Sequence, residues 1–130
     1  MIFWYCVLAH WVADFPLQLW SGLDKFKQRS WWVNICREKG KELEATRYEY
    51  DYIAAMTIHA VGWSAITFLP LVLAGLVGSK AYTGIVLINA AVHFIVDHVK
   101  ANWNGINLCE DQFCHLLQIS ATLAVVWAWR

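Results

Sequence analysis

Three pairs of ionisable residues stand four positions apart inside apolar segments: His10 with Asp14, His93 with Asp97, and Asp111 with His115. On a helix that spacing brings both side chains to one face, about 40° apart around the axis. Imidazole nitrogens and carboxylate oxygens presented together are ligands for a divalent transition metal, or the members of a proton relay. His59, isolated in a further apolar segment, completes a set of four His and three Asp. One tetrahedral ion needs only four ligands, so the set suits either two ions or one ion whose imidazoles are oriented by the remaining carboxylates. Mixed nitrogen and oxygen ligation without thiolate points to Zn, Mn or Fe rather than Ca or Mg. Cys114 is adjacent to His115 but about 100° away around a helix, and His98 faces away from His93, so neither joins the set.

The elements that must position these residues are read from hydropathy. Of the 130 residues, 59% are hydrophobic and only 15% are charged, well under the roughly 25% of an ordinary soluble domain, which favours a membrane protein. Apolar runs cover about 2–20, 53–77, 82–99 and 108–129. Each is near the roughly 20 residues that span a bilayer, and each is too long and too continuously apolar for a barrel strand. The expected fold is all-α, a single integral membrane domain over 1–130 with four transmembrane helices and a long charged loop at 21–51. Pro16 and Pro70 fall inside spans and are expected to kink them. The first run lacks a basic leading region and a small-residue cleavage site, and is expected to remain in the protein. Cys6, Cys36, Cys109 and Cys114 form no CxxC spacing, and no disulfide framework is expected.

Charge sets the orientation. Lys25, Lys27, Arg29, Arg37, Lys39, Lys41, Arg47 and Lys100 lie on one side, against Lys80 and Arg130 on the other. The positive-inside rule then puts the 21–51 loop in the cytoplasm and both chain ends outside, as in a bacterial inner-membrane protein. Trp4, Tyr5, Tyr82, Trp127 and Trp129 fit the outer interface, and Trp20, Trp31, Trp32 and Trp103 the inner one. The run from Arg37 to Asp51 reads as a solvated helix leading into the second span. In this orientation all seven His and Asp fall in the cytoplasmic half, a shared depth that hydropathy did not impose.

The polar stripes continue along the helices. They run His10, Asp14, Gln18; then Asn89, His93, Asp97, Lys100; then Asp111, His115, Gln118, Thr122. Such faces should look inward, since a centrally placed Asp costs roughly 2.5 to 3.5 kcal/mol and three cost on the order of 8 to 10 kcal/mol. Mutual pairing offsets part of this, and a structural divalent ion, worth about 10 to 16 kcal/mol, offsets all of it. His10, Asp14, His59, His93, Asp97, Asp111 and His115 are therefore the expected metal ligands or their immediate supports, with Gln18, Lys100 and Gln112 as polar helpers. A metal with an open position activates water at neutral pH, and two metals about 3.5 to 4 Å apart clamp a phosphoryl or acyl group.

The expected function is a metal-dependent membrane hydrolase of a lipid or lipid-linked phosphoester, with Lys25 and Lys100 near an anionic headgroup. The ordinary reading of each lysine is a snorkelling or topology-setting residue, and that of His59 alone is a helix-to-helix hydrogen bond. The alternative function is a non-enzymatic membrane accessory protein, its His/Asp cluster structural and its 21–51 loop bound to a partner protein. A homo-oligomer also fits four short helices with little internal volume. A proton pathway fits less well, because the outer half offers only Ser64, Thr67, Ser120 and Thr122. Balanced charge and the absence of a Gly-rich loop or zinc-finger spacing argue against a nucleic-acid partner.

The segments HWVADFPLQ at 10–18, HFIVDHVK at 93–100 and EDQFCHLL at 110–117, with a basic stretch after the first and His59 opening the second span, resemble the bacterial and phage membrane family known as domain of unknown function 3307. The resemblance covers all four spans and implies a small multi-pass membrane protein without an assigned activity. The long charged insertion between Asp24 and Asp51 departs from that pattern. More loosely, the placing of His and Asp on membrane helices is similar to membrane-bound metal-dependent hydrolases of the YdjM type, although no complete motif aligns.

Overall fold

A computed structural model of the chain describes residues 1–41 and 46–129. Among these residues the structure is all-helical, with no strand. The first rod is α1 (Ile2–Val12), a π-helical turn (Ala13–Leu17) and α2 (Gln18–Ser21). Short α3 (Leu23–Phe26) and α4 (Arg29–Glu38) follow, then the long helices α5 (Asp51–Leu73), α6 (Ser79–Trp103) and α7 (Leu108–Ala128). α5 packs against α1 and α6, and α7 packs against α6 and α1, so the rods close a ring around a common interior. α5 and α6 are each long and apolar enough to cross a membrane.

Large apolar side chains stand on the outer faces while several ionisable ones are enclosed. Leu8, Trp11, Ile58, Leu87, Ile88 and Phe113 are exposed on the outer faces, while His10, His93, His115 and Asp111 are almost fully buried. An apolar layer built from Cys6, Trp63, Phe68, Leu71, Ile119 and Leu123 fills the end remote from α3 and α4. The polar layer lies between it and those short helices. Trp4, Tyr5, Trp127 and Trp129 are exposed at one end, and Trp20 and Trp103 at the other. Trp31 and Trp32 instead fold inward over Phe26.

Element ends follow local chemistry. Pro16 lacks an amide hydrogen, and the first rod accommodates it in the π-helical turn that also carries Asp14. Pro70 is contained within α5, whose helix stops at Leu73 rather than continuing to residue 77. α6 runs past the expected 82–99 segment at both ends, from Ser79 to Trp103, and stops at Asn104 in the left-handed region (φ 51°). The continuous helix expected from Arg37 into the second span is not formed: α4 ends at Glu38 and residues 46–50 are turns, while 42–45 lie outside the described residues, as does Arg130. The segment after the first rod is structured, with α3 and α4 both packed on α5 or on each other.

The start of α7 is a capping box. The Asn107 Oδ1 accepts from the amides of Cys109 (2.8 Å) and Glu110 (3.0 Å), and the Glu110 carboxylate accepts from the Asn107 amide (2.8 Å). This fixes where α7 begins and hence the height of Asp111 and His115. Asn107→Ala should lower stability by about 1 kcal/mol, read as a reduced thermal midpoint of the detergent-solubilised protein, with the helical content of the folded state unchanged.

Candidate metal centre

The helical registers bring six of the seven expected donors to one point. His59 comes from α5, His93 and Asp97 from α6, Asp111 and His115 from α7, and Asp14 from the π-helical turn. The His59 Nε2 lies 3.1 Å from the His93 Nε2, 3.6 Å from Asp14 Oδ1 and 3.4 Å from Asp97 Oδ2. The His93 Nε2 lies 3.6 Å from the same Asp97 oxygen. On the other side of Asp97, the His115 Nε2 is 3.6 Å from Oδ1 and 3.3 Å from Asp111 Oδ1. Three overlapping sets can each hold a cation: His59, His93 and Asp97; Asp97, Asp111 and His115; Asp14, His93 and His115.

These separations suit coordination better than hydrogen bonding. With metal-to-ligand bonds of about 2.1 Å, neighbouring ligand atoms stand about 3.0 to 3.4 Å apart in octahedral or tetrahedral geometry. The His115 Nε2 and Asp111 Oδ1 are both fully buried and, 3.3 Å apart, have no hydrogen-bond partner among the described residues. Buried polar atoms are normally hydrogen-bonded, so this facing pair is either a long ion pair or a place where a cation fits between them. In the structure the His and Asp otherwise pair with one another and with two lysines.

His10 is the expected donor that stands apart. Its Nδ1 accepts a hydrogen bond from the Trp63 indole N–H (2.8 Å), which can only donate, so its Nε2 must carry the proton. That Nε2 faces the Gln112 Oε1 at 3.1 Å. The Gln112 amide nitrogen is thereby turned to donate to Asp14 (2.7 Å) and Asp111 (3.2 Å). His10 thus orients the carboxylates through Gln112, and both of its ring nitrogens are engaged. Trp63 also stacks on His93, with centroids 4.1 Å apart, and His93 stacks on His115 at 4.3 Å.

The expected polar helpers all reach the cluster. Lys100 donates to Asp111 Oδ2 (2.5 Å), and Gln18 accepts from Lys27 (3.1 Å). Lys27, not singled out in the sequence, supplies a second ammonium group: it is 6% exposed and lies 2.5 Å from Asp97 Oδ2, whereas Lys25, expected near an anionic headgroup, is exposed. Asn102 holds Lys27 in place by donating to its carbonyl (3.1 Å) and accepting from the Arg29 amide (2.9 Å). His98 lies elsewhere, stacked on Phe94 and Tyr52. Asn89, Gln118 and Thr122 extend the polar layer with bonds of 2.7 to 3.1 Å. Trp63 was accessible from its spacing, four residues after His59 on the same face. Nothing in the pattern of seven basic residues between 25 and 47 separates Lys27 from its neighbours.

One depression reaches the cluster at Asp97 and a second lies beside it at Gln112. A polar cavity of about 340 Å³ is lined by Gln18, Asp24, Lys27, Gln28, Asp97 and Lys100. An apolar groove of about 660 Å³ between α1 and α7, lined by Leu8, Trp11, Phe15 and Leu116, has Gln112 in its wall. Compared with protein-family models, curated proteins and solved structures, the chain has no match in any of the three.

Removing Lys27 leaves Asp97 buried without its ammonium partner. Lys27→Met should destabilise the metal-free protein by about 3 to 5 kcal/mol, and adding Asp97→Asn should recover part of that loss. Thermal unfolding of both single variants and the double variant measures the coupling; an additive cycle would show that the contact is energetically silent.

Proposed function

We propose that the chain is a four-span integral membrane protein whose His/Asp cluster holds a divalent transition metal, Zn, Mn or Fe, and hydrolyses a lipid or lipid-linked phosphoester. The observation that carries this reading is the convergence of buried His115, His93, His59 and three carboxylates at coordination spacing, with His115 and Asp111 donors lacking hydrogen bonds. Charge supports it. Three carboxylates face two ammonium groups, so neutral imidazoles leave the cluster one negative charge, which a bound cation or a proton on one imidazole balances. The exposed apolar faces of α1 and α7, together with those of α5 and α6, favour burial of all four rods in lipid. The basic segment 21–51 then lies in the cytoplasm, and the bacterial inner membrane is the compartment that fits. The resemblance to domain of unknown function 3307 is consistent with such a topology.

The substrate class follows from the two approaches. The polar cavity places Lys27 and Lys100 where a phosphoryl group would meet Asp97 and the rest of the cluster, and the groove beside Gln112 suits the hydrocarbon chain of the same molecule. Bound in the cluster, a divalent ion supplies Lewis acidity and lowers the pKa of water. The protein's part is to hold Asp14 and Asp111 through Gln112, to keep bulk water out with the Trp63 stack, and to neutralise the incoming anion with its lysines.

One observation favours the alternative of a structural cluster in an accessory protein: Lys27 and Lys100 already cap two of the carboxylates, and Lys27 ties α3 to α6. The two readings separate on His93→Ala. Protein purified in detergent should contain at least one Zn, Mn or Fe per chain by elemental analysis and should release inorganic phosphate from a phosphorylated lipid in mixed micelles. For the enzyme, His93→Ala keeps its abundance and helical content and loses phosphate release at least 100-fold; for the accessory protein, abundance falls and no phosphate is released by either form. Metal-free native protein would exclude the metal reading.

A further inference from the structure

We infer that the centre is built for two ions, bridged by the Asp97 carboxylate; this deepens the metal reading above and rests on it. The two oxygens of Asp97 face different partners. Oδ2 lies 3.4 and 3.6 Å from the Nε2 atoms of His59 and His93, and Oδ1 lies 3.6 Å from that of His115. Asp111 adds its Oδ1 on the His115 side only, 3.3 Å from Nε2. Two three-donor sets therefore share a single residue and use it from opposite edges. A carboxylate spanning two ions in this way holds them about 3.5 to 4 Å apart, the separation of two-metal hydrolytic sites.

The number of donors leads to the same conclusion. One tetrahedral ion would use four of the six clustered side chains and leave at least two only to orient the others, while His93, Asp111 and His115 each keep a buried atom without a hydrogen bond. One octahedral ion held by all six donors would need them around a single centre, whereas they resolve into overlapping sets of three. Asp14 lies between the sets: its Oδ1 is 3.6 Å from His59, and it also groups with His93 and His115. It is placed to serve either ion. Gln112 holds its other oxygen at 2.7 Å, which keeps Asp14 from turning toward the groove. Two ions also raise the positive excess beside Lys27 and Lys100, so the polar cavity becomes a receptor for a doubly charged phosphoryl group rather than a neutral ester.

Full-length protein in detergent, stripped with chelator and reloaded separately with Mn(II) and Zn(II), tests this. The expected result is two ions per chain by elemental analysis and, for Mn(II), the multiline electron paramagnetic resonance spectrum of an exchange-coupled pair. Asp111→Asn, which takes a carboxylate from the His115 side, should hold one Mn(II) per chain with the spectrum of an isolated ion. One ion per chain in the unsubstituted protein overturns the two-ion assignment and leaves the metal reading standing; two coupled ions in Asp111→Asn overturn the placing of Asp111 as a required donor on the His115 side. No binding of either metal overturns both the two-ion assignment and the metal reading. Should Asp111→Asn not fold, the stoichiometry and spectrum of the unsubstituted protein decide the question.

Discussion

Three carboxylates enclosed by apolar helices are the constraint around which this structure is organised. A carboxylate removed from water must find cations and donors within a few ångströms, because the alternative costs several kcal/mol for each ion. Asp97 meets Lys27, Asp111 meets Lys100, and Asp14 meets Gln112. Each partner comes from a different part of the chain, so meeting these needs also brings together the first rod, α3, α6 and α7. The apolar layer of Trp63, Phe68 and Ile119 completes the ring but carries no comparable information about which residues must meet.

The donors are also directional. Because an indole N–H cannot accept, Trp63 fixes the tautomer of His10, which fixes the rotation of the Gln112 amide, which in turn aims at two carboxylates. A chain of hydrogen bonds with no free choice of orientation holds the ligating oxygens without spending them on their own hydrogen bonds. Stacking of Trp63, His93 and His115 fixes the imidazole planes in the same way. Such preorganisation is what separates a site able to bind and turn over a substrate from a set of compatible residues.

Much of this was legible in the amino-acid sequence because helical periodicity acts over short distances. The four-residue spacing of His93 with Asp97, and of Asp111 with His115, is enough to place each pair on one face, and their positions along the apolar runs put the pairs at one level. Gln18, Lys100 and Gln112 were recognisable as polar residues on or beside those faces. What short-range periodicity does not encode is how a non-helical segment folds back. Lys27 is one of several basic residues after the first rod, and only the tertiary clasp of Asn102 on its backbone selects it over Lys25. The distinct role of His10 was hidden for a related reason: its spacing to Asp14 matches that of a ligand pair, and only its contact with Trp63, 53 positions away, assigns it to orientation instead. The π-helical turn at Pro16 likewise reflects a local backbone choice that residue types permit without specifying.

The position of Lys27 at the C-cap of α3, outside the long rods, has a thermodynamic consequence. Its ammonium group and any bound cation compete for the same oxygen of Asp97, so docking of α3 and occupancy of the centre are linked with negative sign. A binding event that lifts this short helix strengthens the cluster's hold on cations, and a cation that enters weakens the clasp by the same factor.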